Sequence, residues 1–572
     1  MLRQRLRTAV AAAVARRPMW TPQRALASTG SSAPRLQLTH AESDLFDFLL
    51  YVQHLHAPRT TLRVAGGWVR DKLRGASGGD VDVALDNLSG RDFAAHIVAF
   101  QRARRLPLSS IGVVKANSDK SKHLEVATVA IEGQSVDFVH LRAESYSSDS
   151  RIPQTTFAKP LEDALRRDIT INALFYNLNT QEVEDWTGQG LADLAAGVIR
   201  TPLEPVQTFL DDPLRVLRAV RFACEFGFRL DGKLSQAVLE HAEIKDAMVR
   251  KVSRERVGIE VRKMLSGKDP SRAFSLLAAF GLLDLVFNDL SVARDADVDA
   301  ATSAAPPSPM SSLSFPPRLW SKALEAEALA HLRFLQQSRL ALANHQISFV
   351  EATGAVLAPL FLSASAVAAI AGPPAPAPSL ESADEHLVVE SSLGYLRERD
   401  AATREVRTDE IVEVLKTNVK WPKPAAKRVA LIVEAVAAYP ARATFGSSGD
   451  TALGDRLKLF MWMTRYNSVL APALSILLTN YAGDSRDDAG AAAARLSTLQ
   501  AFLELGAGYD EQGKGRRRRA DGSVIRAQLG VTAGPKIARA LEVLAVWEMV
   551  HPSASLDEEL AFLQRLAPRL EE

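Results

Sequence analysis

Strand-like alternation stops near residue 190 of this 572-residue chain, and from Leu191 onward alanine- and leucine-rich helical spacing runs to the end. A sheet needs several strands to close a core, so a chain patterned this way is limited to a mixed domain followed by helices. The first part reads as a helix from Leu45, a strand in TLRVAG, a glycine pair, a short helix WVRDKLRG and a strand DVDVAL. A helix near RDFAAHIVAFQRARR and strand-like runs at HLEVATVAIEG and QSVDFVHL follow. The pattern predicts an α+β fold: a head with a small, mixed, largely antiparallel sheet, then an all-α neck, body and tail. Segments rich in Pro, Ser and Ala at 304–317 and 372–378 read as linkers. The expected division is a leader at 1–35, a head at 36–190, a neck at 191–290, a body at 291–480 and a tail at 481–572. No fixed-period repeat is evident.

Composition removes several classes of function. The formal charge is +2, so a nucleic-acid surface must be a local patch. A single cysteine, Cys224, excludes an intramolecular disulfide and any multi-cysteine zinc site. The most apolar run, GAVLAPLFLSASAVAAIAG at 354–372, contains Pro359 and small residues and reads as a buried helix pair rather than a membrane span. The first thirty residues carry many arginines and no acid before Glu42, which is transit-peptide composition. A mitochondrial address is expected, with Met19 as an alternative start that would leave a cytosolic or nuclear pool.

The chemistry begins in GGWVRDKLRGASGGDVDVAL, residues 66–85. In a strand DVDVAL, alternation places Asp80 and Asp82 on one face, where two carboxylates repel unless a cation lies between them. Hard oxygen ligands of this kind suit Mg²⁺, which fills its shell with water and substrate phosphate. Upstream, Gly66 and Gly67 stand where a strand enters a helix, a place where backbone N–H groups favour a triphosphate. Glycines alone make an ordinary turn, and a lone Asp-x-Asp an ordinary solvated edge. The two together at this spacing point to nucleotidyl transfer.

This segment resembles the signature of the nucleotidyltransferase superfamily and, more narrowly, of the class II tRNA nucleotidyltransferases, the CCA-adding enzymes of eukaryotic mitochondrial and cytosolic type. Three more stretches agree in order: LEDALRRDITINALFYNL at 161–178, VEDWTGQGLADLAAGVIRTPLEP at 183–205 and DDPLRVLRAVRFACEFGF at 211–228. The likeness covers roughly residues 55–285. It implies Mg²⁺-dependent transfer from CTP and ATP to the 3′-hydroxyl of a tRNA lacking all or part of its CCA end. Asp80 and Asp82 would hold two Mg²⁺ ions, with Asp137 a candidate third carboxylate or else a solvent-facing strand acid. Arg167, Asp168 and Asn172 would meet the sugar and phosphates, and Arg70 and Asp71 belong to the same nucleotide site. One departure is ASGGD before the metal strand, where eukaryotic relatives often show Ser-His.

Asp212 and Arg215, three apart, would share one face of a base-selecting helix. A carboxylate accepts hydrogen bonds and a guanidinium donates, so the pair matches the amine and ring acceptor of cytosine or adenine and leaves polar groups unpaired against uracil or guanine. The same spacing also gives ordinary surface ion pairs. Arg218 and Arg221 fall on the side of Arg215 as further phosphate or base contacts.

RAESYSSDSRIPQTTF at 142–157 resembles the family's flexible loop, and as bare sequence is a polar surface loop. The basic run KGRRRR, with Lys514, Arg516 and Arg517, suits a tRNA backbone, a solvated loop or a nuclear signal equally. GVTAGPKIARALEVL places Lys536 at a phosphate site or an ordinary helix start. His123 and His140 read as packed or surface histidines. Two other readings stay open: a poly(A) polymerase or partial CC- or A-adding enzyme on the same head, and a catalytically silent RNA-binding protein. Product length and CTP use separate them.

Overall fold

The computed structural model describes residues 36–77, 79–114, 126–147, 150–287, 319–341, 347–362, 380, 383–440, 450–479, 489–514, 522–530 and 534–570. The leader and the arginines of KGRRRR lie outside these residues. The chain forms two compact units, one ending at Ser253 and the other beginning at Arg254. That division falls inside the stretch the sequence marks as neck.

In the first unit the elements are α1 (His40–His56), β1 (Leu62–Ala65), α2 (Gly67–Leu73), β2 (Val81–Leu85), α3 (Gly90–Ala103), β3 (Ile111–Val114), β4 (Val126–Ile131) and β5 (Gln134–His140). They continue with β6 (Arg142–Ser147), β7 (Ser150–Phe157), α4 (Pro160–Leu165), a 3-10 turn (Thr170–Asn172), β8 (Phe175–Asn177) and β9 (Glu182–Glu184). Seven strands form one sheet in the order β3-β4-β5-β2-β1-β8-β9. Every pairing is antiparallel except β2 with β5, so the sheet is mixed and largely antiparallel as expected.

Alternation gives the sheet two different faces. Val64, Val83, Leu85, Val129, Val136 and Phe138 point to one side, where they pack with Leu49, Val52, Phe93 and Ile97 of α1 and α3. Gly90, at the start of α3, has no room for a side chain: a Cβ there would lie 2.1 Å from the Phe138 carbonyl oxygen. The opposite side has only a small apolar cluster, Ala65, Ala84, Ala164, Ala173 and Phe175 with Leu141. Asp82, Asp137 and Thr128 share that side.

The stretch read as a polar loop at 142–157 is instead an antiparallel ribbon, β6 paired with β7, with a register shift between Ser145 and Ser147. A serine-rich polar composition hides a strand because it lacks the apolar alternation a half-buried sheet would show. Beyond it come α5 (Gly190–Ala196), β10 (Val198–Ile199), α6 (Pro205–Asp211), α7 (Leu214–Phe226), β11 (Arg229–Leu230), α8 (Gly232–Glu240) and α9 (Ala242–Lys251). α7 ends on Gly227 in the left-handed region, φ 70°.

All described elements of the second unit are helical. Arg254 starts it by donating to the carbonyls of Leu285, Val286 and Asn418. The helix Phe349–Phe361 is buried all round from Ala352 to Phe361, as a core helix should be. The second half of the expected helix pair lies outside the described residues. Among the described residues no helix is long and apolar enough to cross a membrane.

Candidate active site

The β1–α2 junction requires glycine at one position and not at the next. Gly66 adopts φ 73° and ψ −124°, and a Cβ there would sit 3.1 Å from Arg167 Nη1. Gly67 has ordinary space around it. The expected phosphate cradle needs one correction: the Gly66 N–H donates to the Leu174 carbonyl at 3.0 Å and is occupied inside the fold. What Gly66 provides is close approach of the chain to a guanidinium.

The carboxylates are also arranged differently from the expected pair. Asp80 immediately precedes the strand, which begins at Val81, and is near enough to Asp82 to act on its charge. The companion of Asp82 is Asp137, its register partner across the parallel β2–β5 pairing. Register partners point to the same face, so the two carboxylates stand side by side. Asp137 accepts a hydrogen bond of 2.6 Å from Thr128 Oγ1 on β4. Asp82 accepts no hydrogen bond and forms no ion pair among the described residues. Its pKa is pushed up to about 6, first by loss of surrounding water, then by Asp137 and Asp80, with Arg167 pulling the other way. Asp82 as a residue is exposed to solvent.

Arg167 is held by a residue that sequence reading missed. Asp163, whose side chain is 1% exposed, accepts from Arg167 Nε at 3.0 Å and Nη2 at 2.8 Å, from Arg166 Nη2 at 2.5 Å and from the Arg142 N–H at 3.1 Å. Burial would raise its pKa, but the two arginines and the hydrogen bonds hold it far below the usual carboxylate range. The signal was present in LEDALRRD: Asp163 stands three and four positions before the two arginines, the helical spacing for contact. Arg167 also donates to the Asn172 carbonyl at 3.2 Å and lies 4.9 Å from the centre of the Phe175 ring.

Five expected residues join in one chain of contacts. Arg70 binds Asp71 and donates to Asn172 Oδ1 at 2.5 Å; Asn172 Nδ2 donates to Asp168 Oδ1 at 3.1 Å; Asp168 Oδ2 accepts from Arg218 Nε at 2.8 Å. Burial works against the charge on Asp168, yet Arg218, Asn172 and Arg215 lower its pKa to about 2. Arg70 lies over the rings of Phe222 and Phe226, and Arg221 over Phe222 at 3.9 Å.

The base-selecting pair needs a correction as well. α7 begins at Leu214 behind Pro213, so Asp212 is not on the helix: it is an extended residue, φ −136° and ψ 97°, at the end of α6. Proline at 213 forces that conformation on its predecessor. Asp212 Oδ1 accepts from the Leu214 N–H at 3.3 Å. Arg215 is on the helix, buried, and donates to the carbonyls of Arg166 at 2.6 Å and Thr208 at 3.4 Å. Glu144, also missed, bridges Arg142 and Arg166 and comes within 4.0 Å of Arg215.

Of the remaining expectations, His140 packs on Phe157 at 4.6 Å between ring centres, and His123 lies outside the described residues. Lys536 is at the start of the helix Pro535–Val550 in the second unit, behind Gly534 at φ 115°. Lys514 ends the helix Ala489–Lys514. Arg516 and Arg517 are outside the described residues. Among the described residues no group of three or more His, Cys, Asp or Glu is placed to hold a metal ion by itself.

The fold and this site define a nucleotidyltransferase head followed by a helical body. The family described as Poly A polymerase head domain matches residues 62–200, and the one described as Probable RNA and SrmB- binding site of polymerase A matches residues 227–293. The chain is 45% identical over 277 residues to the mitochondrial CCA tRNA nucleotidyltransferase of Saccharomyces cerevisiae, covering 46% of this chain and 50% of that one. It is 42% identical over 268 residues to a tRNA nucleotidyltransferase of Schizosaccharomyces pombe, covering 46% and 53%. The match thus spans about half the length of these curated relatives. A solved CCA-adding enzyme of Bacillus stearothermophilus in complex with CTP shares the fold, with a TM-score of 0.52 at 19% identity over 93% of this chain and 99% of that one. Residues 62–200 thus match the Poly A polymerase head domain, and the N-terminal half of the chain is similar in sequence to tRNA nucleotidyltransferases.

Proposed function

We propose that this protein builds or repairs the 3′-terminal CCA of tRNA without a nucleic-acid template, transferring nucleotides from CTP and ATP to the tRNA 3′-hydroxyl with release of pyrophosphate. The observation that carries the reading is Asp137 standing beside Asp82 in register, with the anchored Arg167 near enough to act on the Asp82 charge. Carboxylates left in mutual repulsion are costly unless the working state brings a cation. The names of the matched relatives support tRNA as the acceptor, and the solved relative was obtained with CTP.

The donor set fits Mg²⁺. Asp82 and Asp137, with Asp80 nearby, supply hard oxygens on one open side, leaving coordination positions for water and triphosphate oxygens. Bound there, Mg²⁺ would neutralise triphosphate charge and favour the ionised 3′-hydroxyl. The chain's own groups do the positioning. Arg167, fixed by Asp163, aims positive charge at the phosphates. Arg70, Asn172, Asp168 and Arg218 form a rigid polar edge for the sugar. By resemblance, Asp212 and Arg215 would read the base, an acceptor and a donor suiting cytosine and adenine, once Arg215 exchanges its bonds to the Arg166 and Thr208 carbonyls for the base. The basic leader composition and the mitochondrial relative support a mitochondrial address.

The test is extension of a tRNA lacking its 3′ end by the purified protein with Mg²⁺ and CTP, ATP or both. Addition of C, C and A followed by a stop supports the proposal. A long A tail from ATP alone, addition of only CC or only A, or no growth would each replace it with one of the other readings.

A further inference from the structure

The sheet register that joins Asp82 to Asp137 continues one strand further, to a residue outside the carboxylate set. Thr128 on β4 is the register partner of Asp137, just as Asp137 is of Asp82, so the three side chains form one row across β4, β5 and β2. Thr128 Oγ1 donates to Asp137 Oδ1 at 2.6 Å, the only hydrogen bond Asp137 receives among the described residues. The hydroxyl donor occupies one of the two carboxylate oxygens. With Oδ1 held, the group loses most of its freedom about the terminal torsion, and Oδ2 remains for another partner.

We propose that Thr128 is a positioning residue of the cation site, its hydroxyl fixing the Asp137 carboxylate so that this group, with Asp82, presents oxygen to a divalent cation. The inference rests on the metal reading above and adds a residue that neither the Asp-x-Asp pattern nor the flanking motifs mark. Outer partners of this kind orient ligating carboxylates, and their loss costs roughly ten- to a hundredfold in metal affinity or activity. A threonine facing an aspartate across two strands could instead be a simple sheet pair, so the experiment must separate the two roles.

The full chain is prepared as wild type, Thr128→Val, Thr128→Ser, Asp137→Asn and Asp82→Asn, and Mn²⁺ binding is followed by electron paramagnetic resonance without nucleotide. The Mg²⁺ concentration for half-maximal CTP incorporation is measured in parallel, with thermal unfolding as a check on folding. Valine keeps the shape and removes the hydroxyl. It is expected to weaken Mn²⁺ binding about tenfold and raise the Mg²⁺ requirement by a similar factor. Serine should restore both to within about threefold of wild type, a rescue that a packing role would not give. Wild-type Mn²⁺ affinity and Mg²⁺ requirement in Thr128→Val, with Asp137→Asn impaired, would overturn the positioning role and leave the metal reading standing. Binding unchanged in Asp137→Asn but lost in Asp82→Asn would overturn it through its partner. Binding unaffected by Asp82→Asn would remove the metal reading itself.

Discussion

Asp82 and Asp163 are both acids close to arginines, yet they respond to pH in opposite directions. The folded-state pKa of Asp82, about 6, lies above its ordinary 3.8. Below about pH 4 the group is protonated whether folded or not and costs nothing; as pH rises toward 6 the fold loses stability, and the full cost persists above. Asp82→Asn should therefore raise the Tm of the metal-free protein at pH 7–8, with a gain that disappears near pH 4, while lowering nucleotide incorporation by about three orders of magnitude or more. A Tm that does not rise, or a gain independent of pH, would contradict the assigned repulsion. Asp163 is held far below its ordinary value by Arg166 and Arg167. Its contribution is present above about pH 4 and is lost as pH falls through its folded-state value. Removing a buried partner leaves Arg167 without its carboxylate and Arg166 with Glu144 alone, so Asp163→Asn should destabilise by about 3 kcal/mol in denaturant unfolding at pH 7. A change under 1 kcal/mol would mean the arginines find other acceptors.

At the scale of elements, the β1–α2 junction concentrates the most demanding backbone geometry. Gly66 combines positive φ with a guanidinium 3.1 Å from where a Cβ would be. Gly66→Ala should cost about 1–3 kcal/mol and, by displacing Arg167, raise KM for CTP and ATP. Equal loss of stability with an unchanged KM would confine its role to the turn. This junction was legible in the sequence because glycine before an apolar helix has few other uses. The pairing of Asp82 with Asp137 was not legible: a parallel crossover contact depends on which strands become neighbours, and alternation within one strand cannot reveal that. Asp212 was misplaced for a local reason that Pro213 already announced, since a residue before proline avoids helical geometry. The ribbon at 142–157 went unread because two polar strands carry no hydrophobic period.

For the whole molecule, the mixed head followed by helices was readable from periodicity alone, whereas the helical part gave no motif from which to place its RNA contacts. The structure offers one candidate patch in the second unit. Between Glu413 and Glu434 the chain has no acid and carries Lys416, Lys420, Lys423, Lys427 and Arg428, of which all but Lys416 are exposed. Asp409, Glu413 and Glu434 line the same hollow as Lys416, Lys423 and Lys427, so the positive field there comes chiefly from Lys420 and Arg428 outside it. Charge reversal at Lys420 and Arg428 together should raise KM for tRNA about tenfold near 0.1 M salt, less at higher salt, and leave KM for CTP unchanged. An unaltered KM for tRNA would assign those two residues to solvation.

The parallel β2–β5 contact also has a kinetic meaning. Asp82 and Asp137 are more than fifty positions apart, so pairing β2 with β5 closes a loop that includes α3, β3 and β4. A contact of such separation bears a large loop-closure entropy and forms late. A partly folded or nascent chain would then have no cation site, even with its aspartates already made. Mg²⁺ would bind only the finished sheet, acting as a latch that slows unfolding more than it speeds folding.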